Sequence, residues 1–144
     1  MGVSRQDSKI EALSRAPLFE GLSRAELVAL ARVTEDVEVP AGKVLCSEGA
    51  IGQEFFVIIE GEATVTRGRR HLADHRSGDF FGEISLLENV PRTATVTAKT
   101  PVRCFVITRQ NFRRLLNDTP RIERKVLRAL ARRVLSLSRD PTLI

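Results

Sequence analysis

The sequence predicts an α+β domain, an antiparallel β-roll or jelly-roll barrel flanked by N-terminal helices and two C-terminal helices. Three observations predict it. Short apolar or alternating runs recur from Val33 to Ile107 and are divided by glycines. Helical spacing of apolar residues occupies both ends of the chain. The length of 144 residues, 42% of them apolar, suits one domain that buries about two-thirds of its unfolded surface. The expected division is helices over 1–33, a roll over 34–107 and helices over 108–139.

Ile10, Leu13 and Ala16 stand at helical spacing, and Pro17 stops that helix. After the apolar turn Pro17–Leu22, Ser23 caps a second helix, with Glu26 at the capping-box position and Leu27, Leu30 and Ala31 on one face. The period then changes. Val33, Val37 and Val39 read as a strand that ends at Pro40-Ala41-Gly42. Further strands are expected at Val44–Cys46, Phe55–Ile59, Ala63–Arg67, Arg70–Ala73, Thr93–Ala98 and Val102–Ile107. Thr108 caps a helix whose apolar side is Phe112, Leu115 and Leu116. Pro120 sits at the first position of the last helix, where Ile122, Val126, Leu127, Leu130, Val134 and Leu137 form a seam.

Composition excludes several classes. No apolar run approaches the roughly 20 residues of a membrane span. The opening MGVSRQDSKIEALSRA has no signal-peptide core, and Gln6 spoils a myristoylation motif, so the expected location is the cytoplasm. Cys46 and Cys104 lie in apolar strand contexts and read as small buried hydrophobes. His71 and His75 fall in hairpin-like sequence without a further ligand nearby, and are expected at the surface. The net charge of +5 is uneven. Glu35, Asp36, Glu38, Glu48, Glu54, Glu60 and Glu62 face only Lys43, whereas Arg121, Arg124, Lys125, Arg128, Arg132, Arg133 and Arg139 crowd the last helix. A solvated face is the plain account of that crowding; an acidic partner or nucleic acid is the sharper one.

The chemistry concentrates in FFGEISLLENVPRTATV, residues 80–96. A helix starting near Glu83 leaves its first N–H groups unpaired and attractive to an anion. Gly82 has no side chain to hold that anion off, and Arg92 can return a guanidinium fork suited to two phosphate oxygens. Glu83 suits a sugar hydroxyl beside the phosphate. Taken singly, Glu83 is a dipole-matching acid and Arg92 a surface arginine; their joint occurrence at this spacing reads as a nucleotide pocket. Phe80 and Phe81 read as core.

This segment closely resembles the phosphate-binding cassette of the cyclic nucleotide-binding domains, and glycines at the family's turn positions recur at Gly42, Gly49, Gly61 and Gly78. The resemblance implies that Gly82 and Glu83 meet the ribose 2′-hydroxyl and that Arg92 pairs with the cyclic phosphate. The amides after Glu83, at Ile84 and Ser85, complete the cradle. It implies that Thr93 lies where a syn guanine could be bonded, a residue also found where cyclic AMP is preferred; cyclic AMP is the expected ligand, with cyclic GMP second. It offers Arg124, Leu127 and Arg128 as lid contacts to the base, and the last helix as lid, dimer seam or both.

The expected function is therefore a cyclic nucleotide sensor that couples binding to movement of the C-terminal helix. No catalytic arrangement, metal cluster or cofactor motif is present, so no enzyme is expected. A homodimer through the last helix, and an effector domain or protein outside these residues, are the expected partners; no helix-turn-helix follows Asp140 within the sequence. The competing reading is a protein-interaction domain of the same fold that binds no cyclic nucleotide and docks a partner through its basic helix.

Overall fold

The computed structural model describes residues 5–137. The chain opens with α1 (Arg5–Arg15), a 3₁₀ turn (Pro17–Phe19) and α2 (Arg24–Arg32). Strands β1 (Thr34–Val39), β2 (Val44–Cys46), β3 (Glu54–Glu60), β4 (Ala63–Arg67), β5 (Arg70–His75) and β6 (Phe80–Phe81) follow. Then come α3 (Glu83–Glu88), β7 (Thr95–Ala98), β8 (Val102–Thr108), α4 (Arg109–Asp118) and α5 (Pro120–Leu137). The β-roll flanked by helices is present as expected. Several boundaries differ, and one strand, β6, is additional to those expected. Strand β5 runs on to His75, β7 starts at Thr95 and not Thr93, and β3 and β8 extend to Glu60 and Thr108. Val33 closes the last turn of α2, its N–H donating to Leu30 O at 3.1 Å, so β1 starts one residue later. Strand β6 has two residues, too few to show a period, and is held by pairing with Phe56 and Val57 of β3.

The strands form two antiparallel four-stranded sheets, ordered β1-β8-β3-β6 and β2-β7-β4-β5. Strands β3 and β8 read as almost continuous apolar runs because both of their faces are covered. Phe55, Val57, Phe105 and Ile107 face the helices and join Leu13, Leu30, Phe112 and Ile122 in one core. Their neighbours Phe56, Ile58, Cys104 and Val106 face the second sheet and join Cys46, Val65, Phe81 and Val96 in another. The period of two along each strand thus divides one sheet's side chains between two cores. Stacked rings fasten each layer, Phe55 on Phe112 with centroids 4.4 Å apart and Phe56 on Phe81 at 4.8 Å.

The helices close the first core. Ser23 and Glu26 form the expected capping box. Helix α5 buries Ile122 and Val126, while Leu127 and Val134 farther along are 57% and 50% exposed. Part of its basic character is spent internally. Arg121 donates to Gly21 O, and Lys125 donates to Pro17 O and Glu20 O, so α5 grips the turn after α1. Arg139 lies outside the described residues.

Candidate functional site

Between the second sheet and the start of α3 lies a cavity of about 500 Å³. Its walls come from β2, β4, β5 and β7, its end from Phe81 to Ser85 and Arg92 to Ala94, and one residue, Arg133, from α5. The buried polar or charged side chains among the described residues are Thr34, Glu83, Ser85 and Arg92. All but Thr34 line this cavity, and Thr34 is satisfied by Leu30 O at 2.7 Å. Burying a charge is costly unless it is paired, so two buried ionisable groups at one cavity mark a binding site rather than a core. A larger, more open cleft of about 910 Å³ between α1, β1 and β8 has no such groups. Its Lys9 is already committed to Ala31 O and Thr34 O.

Arg92 is held by backbone. Its Nη1 donates to Gly82 O at 2.9 Å and its Nη2 to Glu54 O at 2.6 Å, and its guanidinium carbon lies 6.0 Å from the centre of the Phe56 ring. The backbone must come close for this. A Cβ on Gly82, whose φ is +98°, would sit 2.9 Å from Arg92 Nη1, and one on Gly52 would sit 2.9 Å from Arg92 Cζ. Only glycine fits both places without displacing the guanidinium.

Glu83 heads α3 and is 1% exposed. Its Oε1 accepts a hydrogen bond from Arg133 Nη1 at 2.5 Å, and its Oε2 has no partner among the described residues. Burial pushes its carboxyl above the ordinary carboxylate value, and the Arg133 charge offsets part of that rise. Arg133 also donates to Phe80 O at 2.7 Å and lies over the Phe80 ring. His75 completes this corner by stacking on Phe81 at 5.4 Å. Burial, followed by the Arg133 charge, holds its imidazole below the usual value. Cys46 lines the cavity as a thiol, burial having pushed it up to about 11.

Gly82, Glu83, Ile84, Ser85, Arg92 and Thr93 all line the one cavity. Arg124, Leu127 and Arg128 do not; they are exposed on α5. Arg133 reaches in instead. A sequence signal for it exists: Arg133 is seven residues beyond Val126 and three beyond Leu130, so it falls on the buried face of the seam. His75, expected at the surface, is instead half-buried, because it ends β5 against β6. Among the described residues, no group of His, Cys, Asp and Glu could hold a metal ion, and no helix is long and apolar enough to cross a membrane.

This roll, with a buried arginine and a buried glutamate lining one cavity at a cassette between β6 and β7, is the architecture of a nucleotide-binding domain. The chain belongs to the cyclic nucleotide-binding domain family, whose model matches residues 36–119. It is 36% identical over 134 residues to a cyclic nucleotide-gated potassium channel of Rhizobium etli, which covers 91% of this chain and 38% of the channel. Among solved structures, Sp-2Cl-cAMPS bound to PKAR CBD2 superposes with a TM-score of 0.75 at 25% identity, over 96% of this chain and 98% of that one. The regulatory subunit of a cAMP-independent protein kinase A from Trypanosoma brucei gives a TM-score of 0.78 at 28% identity, over 87% of this chain and 45% of that one. The chain spans between 25% and 58% of the length of curated relatives that it matches.

Proposed function

We propose that this chain is a sensor that takes one cyclic nucleotide, cyclic AMP in preference to cyclic GMP, into the cavity beside α3. The observation that carries the reading is that buried Arg92 and buried Glu83 line one cavity, the Oε2 of Glu83 having no partner among the described residues. Arg92 turns its fork onto the cyclic phosphate together with the amides of Ile84 and Ser85. Glu83 accepts from the ribose 2′-hydroxyl through Oε2. Thr93, at the mouth, lies beside the base, and Arg133 supplies the contact from α5. The solved complex of a similar domain with a cyclic AMP analogue supports this choice of ligand.

The output is a shift of α5. It carries exposed Leu127 and Val134, and Arg133 ties it to the residue that takes the ribose. Ligand that changes the bonding of Glu83 therefore changes what holds α5 in place, and the two helix arrangements bind ligand with different affinity. The uncovered apolar residues then serve a second copy of the chain or an effector.

Calorimetric titration with cyclic AMP and with cyclic GMP, on protein refolded to strip carried-over ligand, tests this reading. One-site binding, tighter for cyclic AMP, is expected. Arg92→Ala removes the phosphate's partner and weakens binding by about 2–5 kcal/mol. Silence from both nucleotides with the fold intact overturns the reading and favours the protein-interaction domain.

A further inference from the structure

Arg109, the first residue of α4, makes contacts that the site as described leaves unexplained. Its Nη2 donates to Gly52 O at 3.0 Å and to Ser85 O at 3.1 Å, and its Nη1 donates to the Asn89 side-chain oxygen at 2.6 Å. Its backbone N–H donates to Gln53 O at 2.8 Å. One turn on, Arg113 donates to Leu86 O at 3.1 Å. Ser85 and Leu86 belong to the last turn of α3, whose carbonyls have no partner within the helix. Two arginines of α4 therefore supply the hydrogen bonds that end α3.

The geometry reaches Arg92 directly. Gly52 is wedged between Ser85 and Arg92: a Cβ there would meet Ser85 Cβ at 2.6 Å and Arg92 Cζ at 2.9 Å. By bonding the carbonyls of both Gly52 and Ser85, Arg109 fixes the walls between which the Arg92 guanidinium rests. Asn89 adds a second hold. It caps α3 with φ 57°, alone among the described non-glycine residues in having positive φ. Asparagine tolerates that conformation, and here it also presents a side-chain acceptor to Arg109.

We propose that Arg109 is a positioning residue for ligand binding, which together with Asn89 holds the phosphate-binding end of α3 in place and makes α4 move with it. This rests on the cyclic nucleotide reading of the cavity. Arg109 does not line the cavity; it acts through Gly52, Ser85 and Arg92. The consequence is a second route from cavity to C-terminal helices, separate from the Arg133 contact on α5.

Two variants test it. Arg109→Lys keeps the charge but loses the planar fork that spans three acceptors. Asn89→Gly keeps the left-handed backbone and removes only the acceptor. Cyclic AMP affinity is measured by calorimetry, melting temperature without ligand by calorimetric scan, and amide exchange of α3 and α4 with and without saturating ligand. The expected result is a loss of affinity of about tenfold or more in Arg109→Lys and about threefold in Asn89→Gly. In wild type, ligand slows exchange in α3 and in the first turn of α4; in Arg109→Lys at saturation, it slows α3 alone. A purely structural role lowers the melting temperature and leaves both affinity and the α4 response unchanged, and that result overturns the proposal. Should Arg109→Lys fail to fold, Asn89→Gly decides by the same two readouts. If the wild-type chain binds neither cyclic nucleotide, the reading of the cavity fails and this proposal falls with it. Wild-type binding with unaffected variants defeats this proposal alone.

Discussion

Arg133 and Glu83 lie fifty positions apart in the chain and share a hydrogen bond of 2.5 Å. One is on the last helix and the other opens the cassette helix. The glutamate is 1% exposed, whereas the arginine side chain is 37% exposed. The buried partner is therefore the one that depends on the contact.

Replacing Arg133 with Met removes the cation that donates to Glu83 Oε1, and the ligand-free chain should lose about 1–3 kcal/mol of stability. The loss is smaller than for a wholly buried pair, because water already screens the guanidinium. Urea unfolding measures it. In a double-mutant cycle, Glu83→Gln should recover much of the loss, because no charge is then left buried. A strictly additive cycle would contradict the pairing.

The pH dependence of stability follows from the same corner. Glu83 keeps its proton to higher pH in the folded chain than in the unfolded chain, where the ordinary value is 4.5. The folded state then binds more protons between those two values, so this contribution is full below about pH 4.5 and is lost as pH rises through the folded value. His75 acts in the opposite sense. Its folded value is depressed below 6.5, so the unfolded chain takes the proton first and stability falls as pH drops below about 6.5. Unfolding midpoints from about pH 4 to pH 8 should show Glu83→Gln removing the first slope and His75→Gln the second. A profile unchanged in either variant would count against its group.

Two glycines separate backbone strain from crowding. Gly82→Ala forces a side chain into a conformation with φ +98° and brings Cβ within 2.8 Å of Glu54 O. It should cost about 1–3 kcal/mol of stability as well as affinity. Gly52 has no such backbone constraint, and a Cβ there presses on Ser85 and Arg92. Gly52→Ala should therefore weaken cyclic AMP binding by about tenfold, with overpacking costing about 1–3 kcal/mol of stability. Thermal scans and calorimetric titration on both variants check the contrast; wild-type affinity in Gly52→Ala would show that Arg92 is not confined there.

Phe112 links α4 to the sheet through its stack on Phe55 and is fully buried. Phe112→Ala should cost about 3–5 kcal/mol, from lost burial and the cavity left behind. Urea unfolding that finds less than about 1 kcal/mol would mean that α4 does not depend on this stack.

Much of the fold was legible in local pattern. The capping box at Ser23 and Glu26, the cap at Thr108 and Pro120 at a helix start all stand where sequence chemistry puts them. The strands β3 and β8 were legible as apolar runs, and the structure shows why they are apolar on both sides, a different core covering each face. The cassette residues Gly82, Glu83, Ile84, Ser85, Arg92 and Thr93 were legible because they are close in sequence, and they line one cavity. The α5 contact was not. Arg124, Leu127 and Arg128 were the expected lid residues, and the structure leaves them exposed while Arg133 enters the cavity.

The sequence by itself determined the element order, the alternation of faces and the short cassette segment whose residues line the cavity. These depend on caps, on periods of 2 and 3.6 and on residues within one or two turns of each other, all of which are local. Only the tertiary structure decided that Arg133 meets Glu83, that Arg109 ends α3 and that His75 turns inward onto Phe81. Arg133 and Arg109 are separated from those partners by 50 and 24 positions, and no local period encodes such a pairing. It exists because two sheets close on one another and fix the angle at which α4 and α5 cross the cassette. The polar groups then left inside had to find partners among the side chains that this packing brought near.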